Sequence, residues 1–116
     1  MSGPVGQAAE RLTVIVGESD RYHQKALHSE ILHRAHAAGL AGASVWRGFE
    51  GYGARNHIHT TRILSLSEDL PVKIELVDAP ERIDELVASL ADLEINGLVV
   101  REPVTVVHFD GSGTGR

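Results

Sequence analysis

Two apolar helical stripes, each set between β-branched runs, constrain this chain more than any other feature of its sequence. Leu12-Thr13-Val14-Ile15-Val16 is almost wholly apolar, which suits a strand covered on one face by helices and on the other by a neighbour. The spacing of Leu27, Ile31, Ala35 and Ala38 predicts a helix over about Ala26 to Ala38, with His28, Glu30, His33, Arg34 and His36 mostly off its buried stripe. Gly39 stands where a left-handed residue ends a helix, and Leu40 is placed to pack back on the last turn. A second strand is predicted over about Ala43 to Gly48. A third runs from Val72 to Val77, with Val72, Ile74 and Leu76 on one face and Lys73 and Glu75 on the other. Asp78 offers an N-cap and Pro80 a first-turn residue for a second helix over about Pro80 to Ile95. Its stripe is Ile83, Leu86, Val87, Leu90 and Leu93, and Asn96-Gly97 stops it. Val104 to Phe109 forms the last strand, with Leu98 to Arg101 as an added edge piece.

The order β-α-β-β-α-β is that of an α+β, ferredoxin-like sandwich: an antiparallel sheet with two helices on one face and a long loop between the second and third strands. That loop runs from Phe49 to Thr60; Ile63, Leu64 and Leu66 read as a short strand or an extended arm of it, and Ser67 to Pro71 as a turn. Helices on one face leave the other needing cover, and strands this apolar predict that the open face is buried in an oligomer. Residues 1–10, a mixture of Ser, Gly, Pro, Gln and Ala, read as a mobile tail, residues 11–110 as the domain, and the Gly-rich residues 111–116 as a loose end.

Composition excludes several classes. The chain has 116 residues, one domain's worth, and its 42% hydrophobic and 23% charged residues are those of a globular protein. No apolar stretch approaches the ~20 residues of a membrane span, so no direct membrane insertion is expected. Met1 to Glu10 shows no basic region followed by an apolar one, so no signal peptide is expected and the location expected is cytoplasmic. With no cysteine, disulfides, thiolate metal sites and cysteine nucleophiles are excluded. A net charge of −5 argues against a nucleic-acid partner, which a basic surface would mark.

The most unusual stretch is Arg47-Gly48-Phe49-Glu50-Gly51-Tyr52-Gly53-Ala54-Arg55-Asn56-His57-Ile58-His59-Thr60-Thr61-Arg62. Its glycines permit backbone angles other residues resist and let main-chain N–H groups approach an anion. Arg47, Arg55 and Arg62 bring guanidinium forks suited to phosphate or carboxylate, and Phe49 and Tyr52 could stack on a base. One reading is an adaptable anion or nucleotide loop; the other is a hairpin with turn glycines and solvated arginines. It is neither a P-loop, lacking Gly-Lys-Ser/Thr, nor a dinucleotide fingerprint, since it leads into no clear helix.

Other candidates are weaker. Gly17 to Lys25 joins a strand to a helix; Arg21, His23 and Lys25 could serve an anion there, but capping by Ser19 and Asp20 is the simpler reading. Seven histidines raise the question of metal. His33 and His36 share a helix face and read as surface residues. His57 and His59 have no evident third ligand where a zinc site needs three or four, so no metal site is assigned. Glu50 and the Glu68-Asp69 pair lie in loop and turn sequence, without the burial that acid–base chemistry requires. No catalytic residue is assigned, and the chain is not expected to be an enzyme.

Several of these segments together resemble the UPF0166 family of PII-like proteins: Val16-Gly17-Glu18-Ser19-Asp20-Arg21, Ala38-Gly39-Leu40-Ala41-Gly42-Ala43, Arg47-Gly48-Phe49-Glu50-Gly51-Tyr52-Gly53, Ile58-His59-Thr60-Thr61-Arg62-Ile63-Leu64 and Leu66-Ser67-Glu68-Asp69-Leu70-Pro71. The likeness spans about Arg11 to Phe109. It implies a PII-type homotrimer whose long loop, here about Phe49 to Pro71, senses effectors and touches a membrane or cytosolic target protein. It also implies a small anionic effector, often an adenine nucleotide, in clefts between subunits at the base of that loop. By position Arg47, Gly48, Gly51 and Gly53 belong there, and Arg55, His57, His59 and Arg62 complete the candidate ligand-binding set. The chain departs from other PII proteins after its second helix. Where they carry a Gly-Asp-Gly-Lys phosphate loop it reads Asn96-Gly97-Leu98-Val99-Val100-Arg101-Glu102-Pro103, so their ATP and 2-oxoglutarate site does not carry over, and Tyr52 is not assigned as a modified loop tyrosine.

The function expected is thus that of a signalling protein binding a small anionic effector. The alternatives are a metal-responsive trimer like the CutA relatives of this fold, carried by His57 and His59, and a slow nucleotide-hydrolysing enzyme.

Overall fold

The computed structural model describes residues 5–51, 59–60 and 69–109. In chain order the elements are β1 (Val5–Gly17), the two-residue pair β2 (Arg21–Tyr22) and β3 (Lys25–Ala26), α1 (Leu27–Ala37), β4 (Ser44–Arg47), a second short pair β5 (Glu50–Gly51) and β6 (His59–Thr60), β7 (Pro71–Asp78), α2 (Pro80–Ser89) and β8 (Leu98–His108). The four larger strands form one sheet in the order β4-β7-β1-β8, every neighbour antiparallel. This is the ferredoxin-like arrangement that the order of elements predicts.

Register divides the sheet into two faces, because partners across an antiparallel ladder point the same way. Leu12 faces Leu76, Val14 faces Ile74 and Val16 faces Val72. This set is buried beneath Leu27, Ile31 and Ala35 of α1 and Ile83 and Leu86 of α2, and together they form the core. The opposite face carries a row of Trp46, Lys73, Ile15 and Leu98, aligned by the three ladders. Trp46 and Leu98 are each 55% exposed, so this row, apart from Lys73, is apolar surface with nothing over it in the single chain. Lys73 Nζ lies 5.8 Å from the centre of the Trp46 ring.

The helices end as their sequences dictate, with two differences. Gly39 takes φ 82°, and the amides of Gly39 and Leu40 donate to the carbonyls of His36 and Ala35, closing α1 with a Schellman motif that buries Leu40. The helix expected over Pro80 to Ile95 stops at Ser89, although Leu90 and Leu93 remain buried. Tight turns continue the apolar stripe: the Ala91 amide donates to Ala88 and that of Leu93 to Leu90. Arg34 Nη1 takes the Ser89 carbonyl at 2.6 Å, a partner from α1 that spacing along α2 could not reveal. Pro80 opens α2 as expected, but Ala79 is its N-cap and no side chain caps it. The Asp78 carboxylate instead accepts from the Ala79 and Ala41 amides, tying the connection before β4 to the end of β7.

The chain start also differs. Residues 5–10, read as mobile tail, belong to β1, where Val5 to Glu10 pair with His108 to Pro103. Their composition is poor in strand formers, but a neighbouring strand offers a full backbone ladder, and such context overrides propensity. The same ladder joins Leu98 to Arg101 with Val104 to His108 into one strand through Pro103, tolerated because β8 lies at the sheet edge. Residues 1–4, the 111–116 tail, and Ile63, Leu64 and Leu66 lie outside the described residues.

Candidate functional site

One end of the sheet gathers most of the loop-base segments singled out in the sequence. There β1 and β4 finish and β7 begins, with Gly17 opposite Pro71 and Arg47 opposite Val72; β8 starts beside them, Leu98 opposite Ile15. The Gly17 to Asp20 turn, both ends of the long loop and the segment after α2 therefore meet at one mouth.

The turn is held firmly. The Gly17 amide donates to Asp20 Oδ2 at 2.9 Å, and the Asp20 amide donates back to the Gly17 carbonyl. The Glu18 amide donates to the Leu70 carbonyl and the Ser19 amide to Asp69 Oδ1, each at 2.8 Å. On the other side, the Gly48 amide donates to the Pro71 carbonyl at 2.7 Å. A Cβ on Gly48 would lie 2.8 Å from Pro71 Cγ, so glycine here serves close approach. Neither Gly48 nor Gly51 uses a left-handed backbone, which corrects the expectation of unusual angles in this part of the loop. Pairing of Glu50 with Thr60 and of Gly51 with His59 brings the two arms of the loop together just beyond.

Among the described residues, Arg47 brings a guanidinium to this mouth. Its Nη2 lies 3.0 Å from Glu18 Oε2 and 3.1 Å from Glu18 Oε1, both side chains facing solvent. Asp20 and Asp69 accept from amides of the neighbouring turn, at Gly17 and Ser19. The arrangement can present a cation and nearby main chain to an anion, and it holds no nucleophile–base pair among the described residues.

Of the sequence-predicted ligand-binding residues, the structure brings together Arg47, Gly48 and Gly51. For His59 it gives the main chain alone, paired with Gly51. Gly53, Arg55, His57 and Arg62 lie outside the described residues. Sequence alone gives Glu18 no role beyond its place in a polar loop and Asp69 only a place in a turn; the contact of Glu18 with Arg47 and that of Asp69 with the Ser19 amide follow from strand register, which no local pattern reveals. Ser19 and Asp20 do not cap α1 with their side chains: Ala26 is the N-cap, and the Asp20 main-chain carbonyl accepts from the Leu27 amide. Lys25 is drawn to Glu30 at 2.9 Å, and His23 packs edge-on against Tyr22. His33 and His36 line an open groove of about 500 Å³ between α1 and the segment from Leu40 to Ala43, which includes no loop-base residue. Among the described residues no group of three His, Asp or Glu is placed to hold a metal, and no helix is long and apolar enough to cross a membrane.

The family model DUF190, described as uncharacterized ACR, COG1993, matches residues 9–106. A UPF0166 protein of Aquifex aeolicus is 31% identical over 98 residues, covering 84% of this chain and 92% of its own. One of Methanocaldococcus jannaschii is 32% identical over 93 residues, covering 79% and 85%. Among solved structures, CPII of Thiomonas intermedia K12, a nitrogen regulatory PII-like protein bound to ADP, AMP and bicarbonate, superposes with a TM-score of 0.67 at 16% identity, covering 88% of this chain and 91% of that one. Its apo form gives 0.63 at 15% identity, covering 90% and 98%.

Proposed function

This chain belongs to the UPF0166 family of PII-like proteins, and from that premise we propose that it is a regulatory binding protein rather than an enzyme. It assembles as a homotrimer in the cytoplasm and binds a small anionic effector, an adenine nucleotide, in the clefts between subunits. The loop after Arg47 reports occupancy to a target protein.

The observation that carries this reading is the convergence of Arg47, Gly48 and the Gly17 to Asp20 turn at the end of a sheet whose open face exposes Trp46 and Leu98 close by, with the charged Arg11, Glu75 and Glu102 farther along it. In this reading other copies cover the exposed Trp46 and Leu98, and packing them there lays the loop base of one chain at a seam. The adenine nucleotides carried by CPII support the choice of effector. Binding would order the loop, and its two states would favour different partners.

Calorimetric titration with AMP, ADP, ATP and cyclic dinucleotides tests the proposal. A saturable site for an adenine nucleotide is expected, weakened about tenfold or more in Arg47→Gln, as loss of a charged hydrogen bond dictates. Silence across the panel removes the nucleotide from the account.

A further inference from the structure

The hold of Glu18 on Arg47 bears directly on how a ligand could enter. We infer that Glu18 is an internal competitor for the guanidinium: its carboxylate occupies the place of the effector's anionic group and must leave when that group arrives. The inference rests on the reading of Arg47 as an anion-binding residue.

Three observations support it. The backbone of Glu18 is fixed on both sides, by its own amide on Leu70 and by the Ser19 amide on Asp69, so the carboxylate is launched from a fixed point within reach of Arg47. Arg47 is equally placed, by its ladder to Val72 and the Gly48 bond to Pro71. Yet the pair is made the weaker way. Both Glu18 oxygens approach the single nitrogen Nη2, at 3.0 and 3.1 Å, instead of forming the two-nitrogen fork that guanidinium and carboxylate prefer. An exposed pair of this kind contributes little, so it is built to be exchanged. A phosphate or carboxylate that engages two nitrogens displaces it.

The exchange also carries information. Arg47 leads into the long loop, and Glu18 sits on the turn that grips the loop's far end at Asp69 and Leu70. The pair ties the loop's entry to the turn that holds its exit, and a ligand at Arg47 cuts that tie.

The test is calorimetry with ADP on wild type, Glu18→Gln and Glu18→Ala, at low and high salt, with thermal melts verifying the fold. Both variants are expected to bind ADP about two- to fivefold more tightly than wild type, the size of an exposed ion pair. The gain should shrink as salt screens the competitor. Tight binding by the variants where wild type is silent supports the inference equally. Wild-type binding that neither variant improves, or that both weaken, overturns it while leaving the nucleotide proposal standing. No binding by any of the three overturns both.

Discussion

A Cβ placed on Gly97 would stand 1.8 Å from the carbonyl oxygen of Ile15 and 2.9 Å from its carbonyl carbon. The chain enters β8 by laying bare backbone on backbone, which aligns Leu98 opposite Ile15 and brings the segment after α2 to the mouth beside Gly17. Backbone cannot yield as a flexible side chain can. Gly97→Ala is therefore expected to cost at least about 1–3 kcal/mol, the range for overpacking, read as a lower urea midpoint at unchanged slope.

Arg34 joins the two helices. Its Nε holds Glu30 one turn behind at 2.7 Å, while Nη1 and Nη2 reach Ser89 at the end of α2 and Asp92 just beyond it, and its guanidinium lies over the Tyr22 ring. Hydrogen bonds from Lys25 and Arg34 hold the Glu30 carboxyl below its ordinary 4.5. Arg34 likewise holds Asp92 below its ordinary 3.8. Groups lowered in the folded state add stability that is complete above their ordinary values and is lost as pH falls through the lowered ones. Melting temperature should therefore fall on acidification below about pH 4.5. Arg34→Gln should melt several degrees lower at neutral pH and lose less on acidification, checked by melts from about pH 7 to about pH 3.

Ile74 is fully buried between the helices and β1, opposite Val14. Ile74→Ala leaves a cavity and is expected to cost about 2–5 kcal/mol in denaturant titration.

The bare row of the sheet predicts a different kind of defect. Trp46→Glu or Leu98→Glu puts charge where copies would meet while leaving the helix-side core intact. Light scattering on a sizing column should show three chain masses for wild type and smaller species for the variants, with unchanged far-UV dichroism. A wild-type monomer at working concentration removes the trimer.

How much of this was legible in the sequence depended on the range of the contacts involved. The stripe Leu27, Ile31 and Ala35, the alternation Val72, Ile74 and Leu76, and the Gly39 stop are local patterns, and each gave its element to within a residue or two. The end of α2 was missed because the turns after Ser89 bury Leu90 and Leu93 at the same spacing a helix would. Strand at Val5 to Glu10 was missed because its cause lies about a hundred residues away, in β8. At the site, residue type sufficed to nominate Arg47 and Gly48. The Glu18 contact needed the register of β1, β7 and β4, which tertiary pairing alone sets.

The most direct measurement of the central claim is a crystal structure of the protein grown with ADP. The expected result is a trimer with nucleotide between two chains, an anionic group on Arg47 and Glu18 turned away. ADP seated in the groove of His33 and His36, or chains that crystallise as monomers with Arg47 still on Glu18 at saturating nucleotide, would contradict it.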